Sequence, residues 1–396
     1  MTVAFVSNYI NHHQKPFSDA CYKALGREYH FIQTEPMEEE RVAMGWGGED
    51  GRPPYVRCLY EEEEVCRKLI LESDIVIFGW VSREDLLNVT EMVEKRLEMG
   101  KLSIRLSERL YREGQWKAVS PRGLKKKYQD HTRFRKKPVW LLCAGAYVAS
   151  DFRIVRAYPG KMLKFGYFPE TVHYTEEEFR AMKEQDGKTH MVWAGRFMPL
   201  KHPEFAVRAG EELYRKKLAF HIHMVGSGEM EQELRKEVRE KGLEENFTFY
   251  GYAKPEKVRK IMEKCHIHLF TSNHLEGWGA VVNEAMNSGC AVIANNEAGA
   301  VPFLIRHGSN GLVYHNGSYK EFAGHVECLV CDREKAEKLG MAAYHTIIDM
   351  WNPEHAAEEL LRMCRDWMDS GKLIPAVTGP LSEAKVIPPQ FWRRDV

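Results

Sequence analysis

The stretch HLEGWGAVVNEAMNSGCAVIA, residues 274–294, follows the apolar run His268-Leu269-Phe270 and decides how the rest of the chain is read. It reads as the end of a strand, a polar loop, a helix from about Gly279 to Ser288, a stop at Gly289 and a second strand through Val292. The loop therefore lies at the carboxyl end of one strand and feeds a helix N-terminus, the place where open α/β sheets bind ligands. Gly277 and Gly279 leave the backbone bare there, and the unpaired N–H groups of a helix start favour an anion such as a diphosphate.

Glu276 stands before that helix and Glu284 a little over two turns further on, a separation of roughly 12 Å along the axis. Two acceptor-only carboxylates flanking an anion-binding helix end suit a ligand with hydroxyls at both ends and phosphates in the middle, such as a nucleotide-sugar. Spacing alone equally allows a plain loop carboxylate and a solvated helix residue.

The longer run EGWGAVVNEAMNSGCAVIANNEAGAVP resembles the E-x7-E region of retaining glycosyltransferases of family 4. Further matches occur in the same order as in that family: Gly195-Arg196 with Lys201 beyond, Gly226-Ser227-Gly228, Gly251, and Asn310-Gly311. The resemblance implies the α/β GT-B fold, two Rossmann-like domains with parallel sheets facing a central cleft. It implies a transferase, of the hexosyltransferase type, that moves a sugar from a nucleotide diphosphate donor to a hydroxyl acceptor with retention at the anomeric carbon. Arg196 and Lys201 would then stabilise the leaving diphosphate, Glu284 would hold the ribose and Glu276 the transferred sugar. Gly195, Gly226, Tyr252, Gly277, Trp278 and Gly279 would line the donor. The chain has no D-x-D pair to hold Mg²⁺, so neither metal nor cofactor is expected, the nucleotide-sugar being a co-substrate.

At 396 residues the chain is long enough for two α/β domains, and a 44% hydrophobic fraction excludes a disordered one. Its 57 basic and 57 acidic residues balance, which removes a whole-molecule electrostatic case for nucleic acid. Nine scattered cysteines, several in apolar runs, suit reduced buried thiols in a cytoplasmic protein. No apolar run approaches the length of a membrane span, and the N-terminus does not read as a signal peptide. The expected domains are 1–170 on the acceptor side, a linker at 171–187, a nucleotide-sugar domain at 188–350, and a helix and extended tail at 351–396 that return to the first domain.

Within the first domain, the turn after strand Val3 to Val6 holds His12 and His13 where the family often has glycine, so side chains replace backbone N–H groups on the acceptor or phosphate side. Glu108 follows strand Leu102 to Leu106 where many family members carry a histidine, and a carboxylate there can orient the acceptor hydroxyl or take its proton. The alternative is an exposed glutamate paired with Arg109. The glycine-rich run 45–51 reads as a surface loop or a lid. Residues 117–137 carry nine Lys or Arg against Asp130 alone, with aromatic neighbours. That segment reads equally as a solvated basic helix or as a contact with an anionic membrane surface, which would place the enzyme peripherally on the cytoplasmic face beside a lipid-linked acceptor. The resemblance in this half leans toward relatives that build bacterial polysaccharides or glycoconjugates. A nucleotide-sugar 2-epimerase of similar architecture and a non-catalytic nucleotide-sugar-binding protein remain as alternatives.

Overall fold

Two all-parallel sheets carry the chain, and their apolar runs explain why. The computed structural model describes residues 1–39, 41 and 51–389; most of the glycine-rich run read as a loop or lid lies outside them. In the first sheet the strands are β1 (Val3–Ser7), β2 (Tyr29–Gln33), β3 (Val56–Cys58), β4 (Ile75–Phe78), β5 (Leu102–Ser107), β6 (Val139–Ala144) and β7 (Met162–Phe165), in the order β3-β2-β1-β4-β5-β6-β7. The second holds β8 (Thr189–Ala194), β9 (Phe220–Val225), β10 (Phe247–Gly251), β11 (Ile267–Phe270), β12 (Ala291–Asn295) and β13 (Leu312–Tyr314), in the order β10-β9-β8-β11-β12-β13. Central strands such as β1, β4 and β11 are buried at every position, as expected when helices cover both faces of a parallel sheet. Each order reverses direction beside its first strand, the doubly wound Rossmann arrangement.

The chain divides into one unit of Met1–Glu170 with Asn352–Pro389 and another of Thr171–Trp351. The first is closed by the helix Pro353–Ser370, whose Asn352 cap accepts from the His355 N–H at 2.7 Å and whose end is set by Gly371 at φ 68°. Its Leu360, Leu361 and Cys364 are buried, and it packs on the helix Lys15–Leu25. The tail beyond it, expected to be simply extended, pairs with the sheet. Leu163 and Glu383 form an antiparallel bridge, the Lys164 N–H donates to Ser382 O at 2.8 Å and the Ala384 N–H to Met162 O at 2.9 Å. This satisfies backbone groups that an edge strand would otherwise leave open.

Residues 171–187, read as a linker, belong instead to the second unit. They contain a helix, Glu176–Ala181, opened by a capping box at Thr175 and Glu178. Phe179 packs against Tyr344, and the buried Lys183 donates to the carbonyls of Cys265 and Ser288, both at 2.7 Å. A lysine that satisfies two buried carbonyls looks polar in sequence and is structural in fact. Among the described residues, no helix is long and apolar enough to cross a membrane.

Candidate functional site

The second sheet reverses its order between β8 and β11, and the loops after those strands carry the expected cations and Glu276. Hydrogen bonds tie the two loops together. The buried Trp193 donates through Nε1 to Thr271 Oγ1 at 2.7 Å, Thr271 donates to Lys201 O at 2.5 Å, and the Asn273 N–H donates to Leu200 O at 2.9 Å. This bracing fixes the backbone of Lys201, whose Nζ pairs with a Glu276 carboxylate oxygen. Both side chains are mostly buried, at 19% and 15% exposure, so the pair is poorly screened and each charge holds the other in place. Arg196 is exposed and has no partner among the described residues, which leaves its fork available to an anion.

The glycine turn after β9 is a steric requirement. Gly226 has φ 128°, and a Cβ there would lie 1.9 Å from Gly195 O; Gly228, at φ 156°, would meet Phe197 O at 2.4 Å. The Gly226 N–H donates to Gly251 O at 2.8 Å, and the Gly195 N–H to Val225 O at 3.0 Å. The ends of β8, β9 and β10 are thus laced through backbone alone, with Tyr252 exposed just beyond.

The helix expected from Gly279 begins later, at Val281, and runs to Asn287. Gly279 stays outside it, since its φ of 94° is not helical, and Phe270 leaves no room there for a side chain. Glu284 is half-buried, and desolvation holds its carboxyl up at about 7 against the opposing charge of Arg259. Arg259, which sequence reasoning did not single out, also donates to Asn287 Oδ1 at 2.7 Å. Trp278 is not a donor-lining ring. It is 2% exposed, donates to Asn283 Oδ1 at 3.0 Å and packs against Phe303 and Trp351. Apolar area decides this: an indole whose N–H finds an internal partner is more stable in the core than in a polar loop. Only the backbone of Gly277 to Gly279 remains as a candidate anion contact.

In the first unit, the loop after β1 is held by Asn11, whose Oδ1 accepts from the His13 N–H at 3.0 Å. The His12 and His13 rings lie 3.8 Å apart between centroids, and His13 lies 6.2 Å from the Tyr167 ring. The Tyr167 hydroxyl donates to Glu108 Oε1 at 2.8 Å, and Arg112 pairs with the other oxygen. His13, Tyr167 and Glu108 therefore form one connected group. Arg109, considered as Glu108's partner, turns instead to a fully buried ion pair with Asp151 at 3.3 Å. Asp151 also accepts from the Tyr111 N–H at 3.0 Å, which anchors the segment after Glu108.

The basic segment folds as an exposed helix, Pro121–Asp130, and a short turn. Lys126 pairs with Glu84 and Asp130, and Arg133 pairs with Glu94, so acids from elsewhere in the fold offset part of the charge. Trp116 and Tyr128 remain 71% and 58% exposed.

Residues 175–346 match the family model described as glycosyl transferases group 1. Among curated relatives, the D-inositol 3-phosphate glycosyltransferase of Nocardia farcinica is 27% identical over 218 residues, 52% of this chain and 48% of that protein. The poly(ribitol-phosphate) alpha-N-acetylglucosaminyltransferase of Staphylococcus aureus is 26% identical over 168 residues, 42% of this chain and 34% of that protein. The chain thus spans about half or less of the length of these relatives. Among solved structures, Anabaena Alr3699/HepE in complex with UDP superposes with a TM-score of 0.69 at 14% identity, over 92% of this chain and all of that one. The pneumococcal O-GlcNAc transferase GtfA with UDP and GlcNAc gives 0.65 at 12% identity, over 93% of this chain and 99% of that one. Residues 175–346 are thus similar to glycosyl transferases group 1, and the fold is that of these structures, the GT-B fold of two Rossmann-like domains.

Proposed function

We propose that this protein transfers a sugar from a nucleotide diphosphate sugar to a hydroxyl acceptor with retention at the anomeric carbon, in the synthesis of a glycan or glycoconjugate. The observation that carries the reading is the Lys201–Glu276 pair, braced at the point where the second sheet reverses its strand order. The relatives' names point the same way, since they are glycosyltransferases and two of the similar structures hold UDP.

The barrier to transfer is charge separation: an oxocarbenium-like sugar parts from a diphosphate that gains negative charge. Lys201, held by Glu276, and the backbone N–H groups at Gly277 to Gly279 are in place before reaction, which is what makes such stabilisation effective, and the unpaired fork of Arg196 adds to them once the anion is bound. Glu276, anchored by Lys201, accepts from sugar hydroxyls, and Glu284 accepts from the ribose. With retention, attack comes on the face the leaving group vacates, and the departing phosphate oxygen takes the acceptor proton. On that route the protein needs neither a nucleophile of its own nor a bound metal. In the first unit, Glu108 is held by Tyr167 and Arg112, an arrangement that suits orienting the acceptor better than abstracting its proton. The acceptor, lipid-linked or free, is assigned to that unit, together with an anionic membrane surface facing the basic segment.

Incubation with labelled nucleotide-sugars tests the reading. Release of free nucleotide diphosphate with glycosylated acceptor supports it. An epimerised sugar nucleotide identifies a 2-epimerase, and binding without turnover identifies a non-catalytic binder.

A further inference from the structure

A pocket of about 480 Å³ opens in the first unit, lined by Arg135, Arg153 and Arg156, by Glu383 and by apolar groups that include Met162 and Val386. That volume lies in the range of small-molecule sites, roughly 300–1,000 Å³. Its cations come from separate places in the chain: Arg135 from the turn after the basic helix, Arg153 from the helix Val148–Ile154, and Arg156 from the turn after that helix. None of the three guanidinium groups has a hydrogen bond or ion pair among the described residues, although Lys126 and Arg133 nearby in sequence are paired with acids. Three like charges around one concavity repel one another unless an anion joins them.

The backbone here is also unusual. Arg156 has φ 56° and Tyr158 φ 49°, a region that side-chain-bearing residues seldom occupy. The turn is held by the Ala157 N–H donating to Phe152 O at 3.0 Å and the Lys161 N–H to Tyr158 O at 3.0 Å, so the backbone that carries Arg156 is fixed. The lining is completed by the tail segment that pairs with β7, which brings Glu383 and Val386 to the same pocket.

From this constellation we infer that the pocket binds a phosphate ester, with the arginine forks on the phosphate oxygens and Glu383 accepting from a hydroxyl of the esterified alcohol. Guanidinium matches phosphate geometry with two parallel hydrogen bonds, and a lone carboxylate in a cationic pocket selects an uncharged donor group beside the anion. Met162 and Val386 face the carbon skeleton. The same chemistry is presented by a soluble phosphorylated polyol and by the headgroup of a phosphate-bearing lipid. Nothing in the inference depends on glycosyl transfer.

The test uses the full chain with two probes. Calorimetric titration with glycerol 1-phosphate, with glycerol as control, reads the soluble source; co-sedimentation with phosphatidylcholine vesicles with and without phosphatidic acid reads the lipid source. Saturable binding of glycerol 1-phosphate without vesicle binding assigns a free phosphate ester, and phosphatidic-acid-dependent sedimentation assigns a headgroup. In either case the R153Q/R156Q double variant should bind about tenfold or more weakly, R153K/R156K should lose part of the affinity because the forks are gone, and K125E/K126E should bind glycerol 1-phosphate like wild type. Release of nucleotide diphosphate from a sugar donor should be unchanged in R153Q/R156Q, and its thermal unfolding should match wild type. Failure of both probes to bind overturns the inference, as does wild-type binding by R153Q/R156Q or R153K/R156K, or loss of glycerol 1-phosphate binding in K125E/K126E instead.

Discussion

The two sheets share a strand order around their switch points, yet the loops at the carboxyl ends of their strands are built in opposite ways. In the second unit the strand ends are framed by backbone: Gly226 and Gly228 sit against the carbonyls of Gly195 and Phe197, and the Lys201 loop is tied down by the Thr271 side chain and the Asn273 N–H. In the first unit the turn after β1 has no glycine, and side chains form the group: His13, Tyr167, Glu108 and Arg112. A backbone frame tolerates no change of its glycines. A side-chain frame can be rewritten residue by residue, which is where acceptor choice should reside.

Breaking the frame of the second unit should give the largest effect. Lys201→Ala and Arg196→Ala are each expected to lower kcat by about 10²–10³-fold, the usual loss on removing a preorganised donor to a developing anion. Lys201→Ala should be the worse of the two, since it also strands the mostly buried Glu276 carboxylate. Activity that EDTA abolishes and Mg²⁺ restores would contradict a leaving group neutralised by fixed cations alone.

Glu108→Gln tests the other side. It should reduce transfer by about 10²-fold while nucleotide affinity, read by calorimetry, stays at the wild-type value. A variant that transfers normally would return Glu108 to a surface role. A variant that loses nucleotide binding would show that the division between a donor frame and an acceptor group is wrong.

Glu284 sharpens the comparison through pH. Its carboxyl is held up at about 7, and in the proposed function ribose hydroxyls donate to the ionised form. Nucleotide affinity should therefore fall by about tenfold for each unit below pH 7 and level off above it, and Glu284→Gln should bind weakly with no such slope. Equal wild-type affinity at about pH 6 and about pH 8 would remove the ribose from Glu284.

The smallest effect concerns stability rather than activity. His190 bonds His223 at 2.9 Å, and His223 bonds the Tyr250 hydroxyl at 2.9 Å. Burial first, and neighbouring histidines second, lower His223 from 6.5 to about 3. The unfolded chain therefore takes up the proton first: the contribution is complete above 6.5 and is lost as pH falls toward 3, by at most about 1.4 kcal/mol per pH unit. Denaturant midpoints should decline with acid accordingly, and His223→Gln should flatten the decline while leaving the midpoint near pH 8 little changed.

Much of the second unit was legible in the sequence because its site depends on local features. The E-x7-E stretch, the Gly226 turn and the Gly195-Arg196 pair each lie within a few residues, and each structural requirement acts at that range. What escaped was non-local. Trp278 stands in the middle of the decisive stretch, yet Phe303 and Trp351 draw it into the core. Lys183 looks like part of a polar linker, and its two carbonyl partners come from residues about a hundred positions on. Thr271, which braces Lys201, and Tyr167, which joins His13 to Glu108, have no signal beyond their fold positions. The proline-containing tail reads as extended, and no pattern within it names β7 as its partner.

That pairing bears on how the molecule is made. The strands of the first sheet are complete by Phe165, but the segment that seals the edge at β7 and the helix that packs on Lys15–Leu25 are translated only after the whole of Thr171–Trp351. During synthesis the N-terminal half must wait with an open β7 edge and a bare helix face while the second unit emerges and folds by itself. The nascent chain is therefore most exposed to sticking and to chaperones over that interval, and the first unit locks only when residues 352–384 arrive.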